Sequence, residues 1–239
     1  MASQYITVET EDGPMPTYES TPEGQSRGAV VVVQEAFGIT SHIESITVRL
    51  ADAGWRALAP ALFHRQGSPV FGYDDFSAVG PVMGQLSAEG ITADVHAALD
   101  FLAADGVAPG ATGIVGFCMG GAVSFYAATL RPLGAAVTFY GGGLREGRFG
   151  LPSLIELAPS LQTPWLGLYG DQDKGIPAED VEGLREAAKN APVATEVVRY
   201  PEGEHGFHCD ARPDSFNEAA ALDARRRALA FFADYLSDR

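Results

Sequence analysis

The stretch GIVGFCMGGAVSFYAA, Gly113 to Ala128, decides the fold. Its first part, GIVGF, carries no polar side chain, the pattern of a strand buried on both faces of a parallel sheet. Its last part, from Met119, reads as a helix. Between them, Gly116-Phe117-Cys118-Met119-Gly120 has the form glycine-x-nucleophile-x-glycine. A sharp strand-to-helix elbow crowds the backbone around a strained central residue, and glycines on both sides make room for it. The central side chain then projects from the carboxyl edge of the sheet at a helix N-terminus. Free N–H groups and a positive field there favour a thiolate. The competing reading of Cys118 is a small apolar residue filling a tight corner.

Strand and helix alternate on either side of the elbow. YITVET and MPTYES are short alternating runs separated by Glu11-Asp12-Gly13, which predicts an N-terminal hairpin. GAVVVVQ is a second buried strand. SHIESITVRLADAG is a helix with Ser41 as its cap, and WRALAPAL is a strand leading into a long irregular stretch, Phe63 to Gly90. TADVHAALDFLAADG is a helix capped at Thr92. GAAVTFY and PWLGLYG are strands, with the irregular stretch Gly141 to Pro164 between them. AEDVEGLREAAKN is a helix, TEVVRY a strand, and Ser215 to Leu236 a closing helix. This order predicts one three-layer α/β domain, residues 1–239, around a mostly parallel sheet.

The chain has 239 residues, of which 46% are hydrophobic, enough for a sizeable core. Its formal net charge of −15 repels nucleic acid and anionic membrane surfaces, so neither is an expected partner. No signal peptide is visible at the start, and no apolar run is long enough to span a bilayer, which predicts a soluble cytoplasmic protein. Its two cysteines, Cys118 and Cys209, are read as free thiols. No cluster of His, Cys or Asp has zinc-ligand spacing, so neither a metal nor an organic cofactor is expected.

A nucleophile at the elbow needs a base and a carboxylate to orient it. LYGDQDKGIP ends a predicted strand with Asp171 and Asp173, and YPEGEHGFH ends the last one with His205. The order nucleophile, acid, histidine is that of the α/β-hydrolases, and each candidate follows a strand's carboxyl end. Asp173 fits the spacing better than Asp171, which reads as a turn cap. His205 is favoured because Gly203 and Gly206 flank it in a tight loop. Among its rivals, His42 and His96 fall on helices as surface or packing residues, His64 follows a strand and could face the site, and His208 lies three residues further on.

VVVQEAFGI, GFCMGG, GDQDKGIP and GEHGFH, in that order, resemble the dienelactone hydrolase (carboxymethylenebutenolidase) family of the α/β-hydrolase class, over nearly the whole chain. The cysteine at the elbow sharpens the likeness, since most of that class uses serine. The resemblance implies an α/β-hydrolase fold without a large cap domain, and a Cys118–His205–Asp173 triad. It implies further that Glu35 contacts the resting thiol and helps to deprotonate it, and that the Ala36 and Met119 N–H groups form an oxyanion hole. In the family a substrate carboxylate is bound through arginines. Here Gln66 to Gly90 holds no arginine or lysine, and Cys209 stands about where one of those arginines falls. Arg65 and Arg212 are the nearby candidates, with Tyr73, Phe76, Met83 and Tyr140 as a more apolar wall.

The leading expectation is a hydrolase of small carboxylic esters or lactones, monomeric or homodimeric, that passes through an acyl-thioester. Thioesters, amides or activated aryl esters on the same triad are a second reading. A non-catalytic redox sensor built on Cys118 is a third.

Overall fold

Strand β5 (Thr112–Phe117) lies inside an eight-stranded sheet of order β1-β2-β4-β3-β5-β6-β7-β8, in a computed structural model that describes residues 1–236. β1 (Ala2–Thr10) and β2 (Gly13–Thr21) form the antiparallel hairpin, and β2 pairs antiparallel with β4 (Arg56–Pro60). From β4 the sheet continues in parallel through β3 (Ala29–Val33), β5, β6 (Ala135–Phe139), β7 (Trp165–Gly170) and β8 (Thr195–Tyr200). The order of the chain reverses between β3 and β5, so the loops after these two strands diverge and leave a crevice at the carboxyl edge.

Two helical layers cover the sheet. Helix α1 (Ser41–Asp52) and the closing helix α7 (Glu218–Tyr235) share one face, where Ile46, Leu50 and Phe232 meet Val115, Phe117 and Phe139. The other face takes α3 (Ala88–Ala104), α4 (Met119–Leu130), the short α5 (Leu154–Leu157) and α6 (Ala178–Ala188). Every side chain of β3, β5, β6 and β7 is buried, which is why these strands read as continuous apolar runs.

Four details differ from the sequence expectation. The cap of α1 is Thr40 rather than Ser41, with Thr40 Oγ1 accepting from the Ile43 N–H. Helix α3 starts at Ala88 under a Ser87 cap, four residues before the expected Thr92 cap, and the Thr92 hydroxyl instead donates to the Ala88 carbonyl at 2.7 Å. Gly90 hid this first turn from the apolar pattern. Helix α7 is capped by Asn217 and begins at Glu218 rather than Ser215. The irregular 63–90 stretch holds a further helix, α2 (Phe76–Met83), capped by Asp75. Gly80 and Pro81 look like breakers, yet Pro81 removes only one amide donor from a short helix whose Val79 and Met83 pack on Ala36 and Phe37.

Among the described residues no helix is long and apolar enough to cross a membrane.

Candidate active site

The elbow between β5 and α4 fixes Cys118. Its φ of 55° lies in the left-handed region, which is costly for a side chain with a β-carbon. The packing around it holds the strain. A β-carbon on Gly116 would run into the Gly120 carbonyl, and one on Gly120 would meet the Val33 carbonyl of β3. Only glycines let β3, β5 and α4 approach this closely. The Cys118 N–H donates to the Phe139 carbonyl at 3.1 Å, and the Ser124 hydroxyl ties α4 to the Val137 carbonyl at 3.0 Å. The thiol therefore sits at the start of a rigid helix, half-buried beside the end of β6.

His205, in the loop after β8, reaches the same point. Its Nδ1 lies 2.6 Å from Asp173 Oδ2, and Cys118 is within hydrogen-bonding reach of the ring. Asp173, after β7, is buried, and its Oδ1 accepts from the Gly175 N–H at 2.8 Å. Burial alone would pull the His205 pKa down. Cys118 and the Asp173 carboxylate outweigh it and push the value up to about 10.

The Ala36 and Met119 N–H groups are both buried, and among the described residues neither has a backbone or side-chain acceptor. Buried amides without partners are rare; the Met119 N–H directly follows the thiol at the start of α4, and Ala36 lies just past the end of β3, the strand beside β5. Such a pair can stabilise a developing oxyanion.

Glu35 is fully buried. Its expected contact with the thiol is replaced by two tyrosine hydroxyls. Tyr73 donates to Oε2 at 3.3 Å, and Tyr140 donates to Oε1 at 3.5 Å. The Tyr73 oxygen also lies 3.0 Å from Thr40 Oγ1. Tyr140 is wholly enclosed, so it supports the site from behind rather than forming the exposed wall expected of it. It holds a φ of 39° and meets the His205 ring edge-on at 5.2 Å. Burial, then Glu35, pushes both phenols far above their ordinary range and the Cys209 thiol up to about 11, so all three stay neutral donors.

A cavity of about 730 Å³ opens beside His205, large enough for a small-molecule substrate. Tyr73, Phe76 and Arg212 line it, as expected, and Met83 lies behind them against Ala36 and Phe37. The Arg212 guanidinium stands 5.9 Å from the Phe37 ring centre and 5.8 Å from that of Tyr73, and no carboxylate of the described residues pairs with it. Arg148 and Lys174 were missed as lining residues: Arg148 has no motif around it, and in GDQDKGIP attention went to the carboxylates rather than to Lys174.

Arg65 is a correction. It grips Asp94 through two bonds of 2.8 and 2.9 Å, bonds Asp12 as well, and does not line the cavity. His64 likewise turns to Asp94, at 3.0 Å, away from the site. Asp171 pairs with Arg199 at 2.6 Å rather than capping a turn. His42 is buried and bonded to Asp210 at 3.2 Å, and His96 lies half-buried on α3. Among the described residues no three His, Cys, Asp or Glu side chains are grouped so as to hold a metal ion.

His208 lies three residues past His205, buried against Phe117, Phe139 and His42. Burial, then the nearby His42, lowers its pKa to about 3. The unfolded chain binds this proton near pH 6.5, so the His208 contribution to stability is complete above that pH and is lost as pH falls toward 3. His208→Leu is expected to flatten the acid limb of thermal stability. Between pH 6.5 and 5 the wild type should lose about 2 kcal/mol more than the variant, read as Tm against pH. Parallel limbs would refute the assignment.

The comparisons bear on this geometry. The family model of the dienelactone hydrolase family matches residues 15–236. A Salmonella typhimurium protein assigned as a carboxymethylenebutenolidase is 38% identical over 238 residues, covering 96% of this chain and 86% of its own. An Escherichia coli protein of the same assignment is 37% identical over 240 residues, covering 97% and 86%. The crystal structure of a Klebsiella pneumoniae protein assigned as a dienelactone hydrolase superposes with a TM-score of 0.90 at 34% identity, covering 98% of this chain and 99% of that one. A dienelactone hydrolase-like promiscuous phosphotriesterase from metagenomic libraries superposes at 0.80 with 25% identity, covering 99% and 100%.

Proposed function

Because the chain belongs to the dienelactone hydrolase family, we propose that it hydrolyses small carboxylic esters or lactones through Cys118, His205 and Asp173 by way of an acyl-thioester. The observation that carries this reading is His205 held between Asp173, 2.6 Å from its Nδ1, and the thiol of an elbow cysteine. The Cys118 sulfur attacks the carbonyl carbon. The oxyanion takes hydrogen bonds from the Ala36 and Met119 N–H groups, each worth about 3–4 kcal/mol in comparable sites. As the tetrahedral species collapses, the C–O bond breaks and His205 passes its proton to the leaving oxygen. The acyl group remains on sulfur. His205, oriented by Asp173, then removes a proton from water, whose oxygen attacks the thioester and releases the acid and the thiolate.

Every step uses groups of the chain itself, so the reading calls for no metal or cofactor. Arg212, at the cavity wall without a partner carboxylate, fits a substrate bearing an anionic group next to an apolar part that meets Tyr73 and Phe76. The site calls for neither nucleic acid nor a membrane, and the reading keeps a cytoplasmic protein, as monomer or homodimer.

Trapping the intermediate tests the reading. After mixing with p-nitrophenyl acetate and quenching in acid, intact mass should show one acetyl group per chain, and peptide mapping should put it on Cys118. Turnover with no adduct, or with the adduct elsewhere, would overturn it.

A further inference from the structure

His205 sits on a stretch, Pro201 to Asn217, that contains only turns between β8 and α7. The Phe207 N–H donates to the Glu204 carbonyl at 3.1 Å, and the Cys209 N–H to the Gly206 carbonyl at 2.8 Å. These bonds fix the shape of the loop but not its place over the sheet. Phe207 is buried beside Tyr140, and His208 beside Phe117. Such packing holds the loop down without giving it a direction.

Asp210 supplies the direction. Both of its oxygens are held by α1: Oδ1 lies 3.2 Å from His42 Nδ1, and Oδ2 accepts from Arg49 Nη2 at 2.9 Å. Burial alone would raise the Asp210 pKa. The bonds from Arg49 and His42 outweigh it and bring the carboxyl below its ordinary range. A carboxylate only accepts, so Nδ1 of His42 carries the proton. The His42 ring is buried and its Nε2 has no partner among the described residues, which leaves Asp210 as the polar contact of that side chain. The same ring stands edge-on to Phe117, the residue before Cys118, at 6.2 Å. Helix α1 also continues from the turn that carries Ala36, with Thr40 as its cap. One helix therefore follows the Ala36 turn, packs on the elbow strand and grips the His205 loop.

From this geometry we infer that Asp210 is a positioning residue: gripped by His42 and Arg49, it sets the loop after β8 in register with the elbow, so that the His205 ring meets the Cys118 sulfur. Asp210 does not line the cavity and acts through the loop. The His42 bond carries most of the hold, because its donor is buried, where a hydrogen bond is stronger. The Arg49 pair is partly exposed, with side chains 32% and 48% accessible, and contributes little. The inference rests on the triad reading for the role of His205, but not on the identity of the ester.

Its test separates position from folding. Intact mass after an acid quench counts the chains that take an acetyl group from p-nitrophenyl acetate, and steady-state kinetics then gives kcat per acylating chain. A misplacement of about 1 Å can cost about a hundredfold in rate, and a loop that keeps its apolar packing should shift by less. Asp210→Ala is therefore expected to lower kcat about tenfold, with KM within about threefold and the acetylated fraction unchanged. Asp210→Asn keeps an acceptor for the His42 N–H and should recover most of the loss. His42→Phe keeps a ring against Phe117 and removes the N–H, so it tests the same clamp should the alanine variant not fold. It should match the loss in Asp210→Ala, and the double variant should be no slower than either single one. A kcat within about twofold of wild type in Asp210→Ala or in His42→Phe would overturn the inference. So would a fall in the acetylated fraction that accounts for all the lost activity, which is what a purely structural role gives. Failure of the hydrolase reading looks different: the wild type would take no acetyl group on Cys118, and the inference would fall with it.

Discussion

Cys118→Ala is expected to lower kcat/KM for p-nitrophenyl acetate by at least about a thousandfold, with the fold intact. The size follows from the role proposed for the sulfur. Removing it deletes the bond that carries the acyl group, so only water activated by His205, with the two N–H donors, remains. That remnant is direct hydrolysis inside a preorganised site, which lies orders of magnitude below covalent catalysis. The fold should survive because alanine keeps the β-carbon and the same strained φ of 55°, and the elbow is held by Gly116, Gly120 and the Ser124 bonds rather than by the thiol. The check pairs steady-state kinetics with thermal melting: activity falls to background while Tm moves by only a few degrees. Cys118→Ser should lie between the two proteins, since a hydroxyl occupies the place but does not ionise beside His205 as a thiol does. Retained turnover in the alanine variant would remove Cys118 from the chemistry and leave the corner-filling reading of the elbow.

The outline of this site was legible in the sequence for a physical reason. A nucleophile elbow needs glycines where β3, β5 and α4 crowd together, and Gly116 and Gly120 leave that mark in one short window. Asp173 follows the apolar run of β7 and His205 the short β-branched strand β8, so their place at the carboxyl edge could be read from chain order. What escaped detection depends on which distant residue a side chain meets. Arg65 and His64 follow a strand just as a site residue would, but the buried Asp94, on a helix thirty positions away in sequence terms, claims both. Arg212 lies in an unpatterned loop and gains its meaning only from the Phe37 and Tyr73 rings beneath it. The tyrosine clamp on Glu35 joins three separate segments and leaves no local trace. Helix α2 was hidden by Gly80 and Pro81, whose breaking tendency is overridden by packing on Phe37.

Asp173→Asn is expected to cost about a hundred- to ten-thousandfold in kcat, close to the loss of the nucleophile itself. The carboxylate touches no substrate, so the effect must pass through His205. With aspartate, Oδ2 accepts the Nδ1 proton at 2.6 Å, which leaves Nε2 as the atom that takes and returns protons. An amide at this position can present its NH₂ group to the ring instead. The imidazole then carries its proton on Nε2, faces Cys118 with a donor, and has no lone pair for the thiol proton or for water. The negative charge that helps hold His205 as an imidazolium is lost at the same time, so part of the push of its pKa to about 10 disappears. Both effects act on proton transfer rather than on binding, and KM should change by less than about threefold while kcat collapses. Acylation and deacylation should slow together, because each needs the same nitrogen. The nearly isosteric change keeps the Gly175 N–H bond to Oδ1 available, so folding should be little disturbed. If kcat fell less than threefold, His205 would not depend on Asp173 for its tautomer, and Asp171, already paired with Arg199, could not take its place without breaking that ion pair.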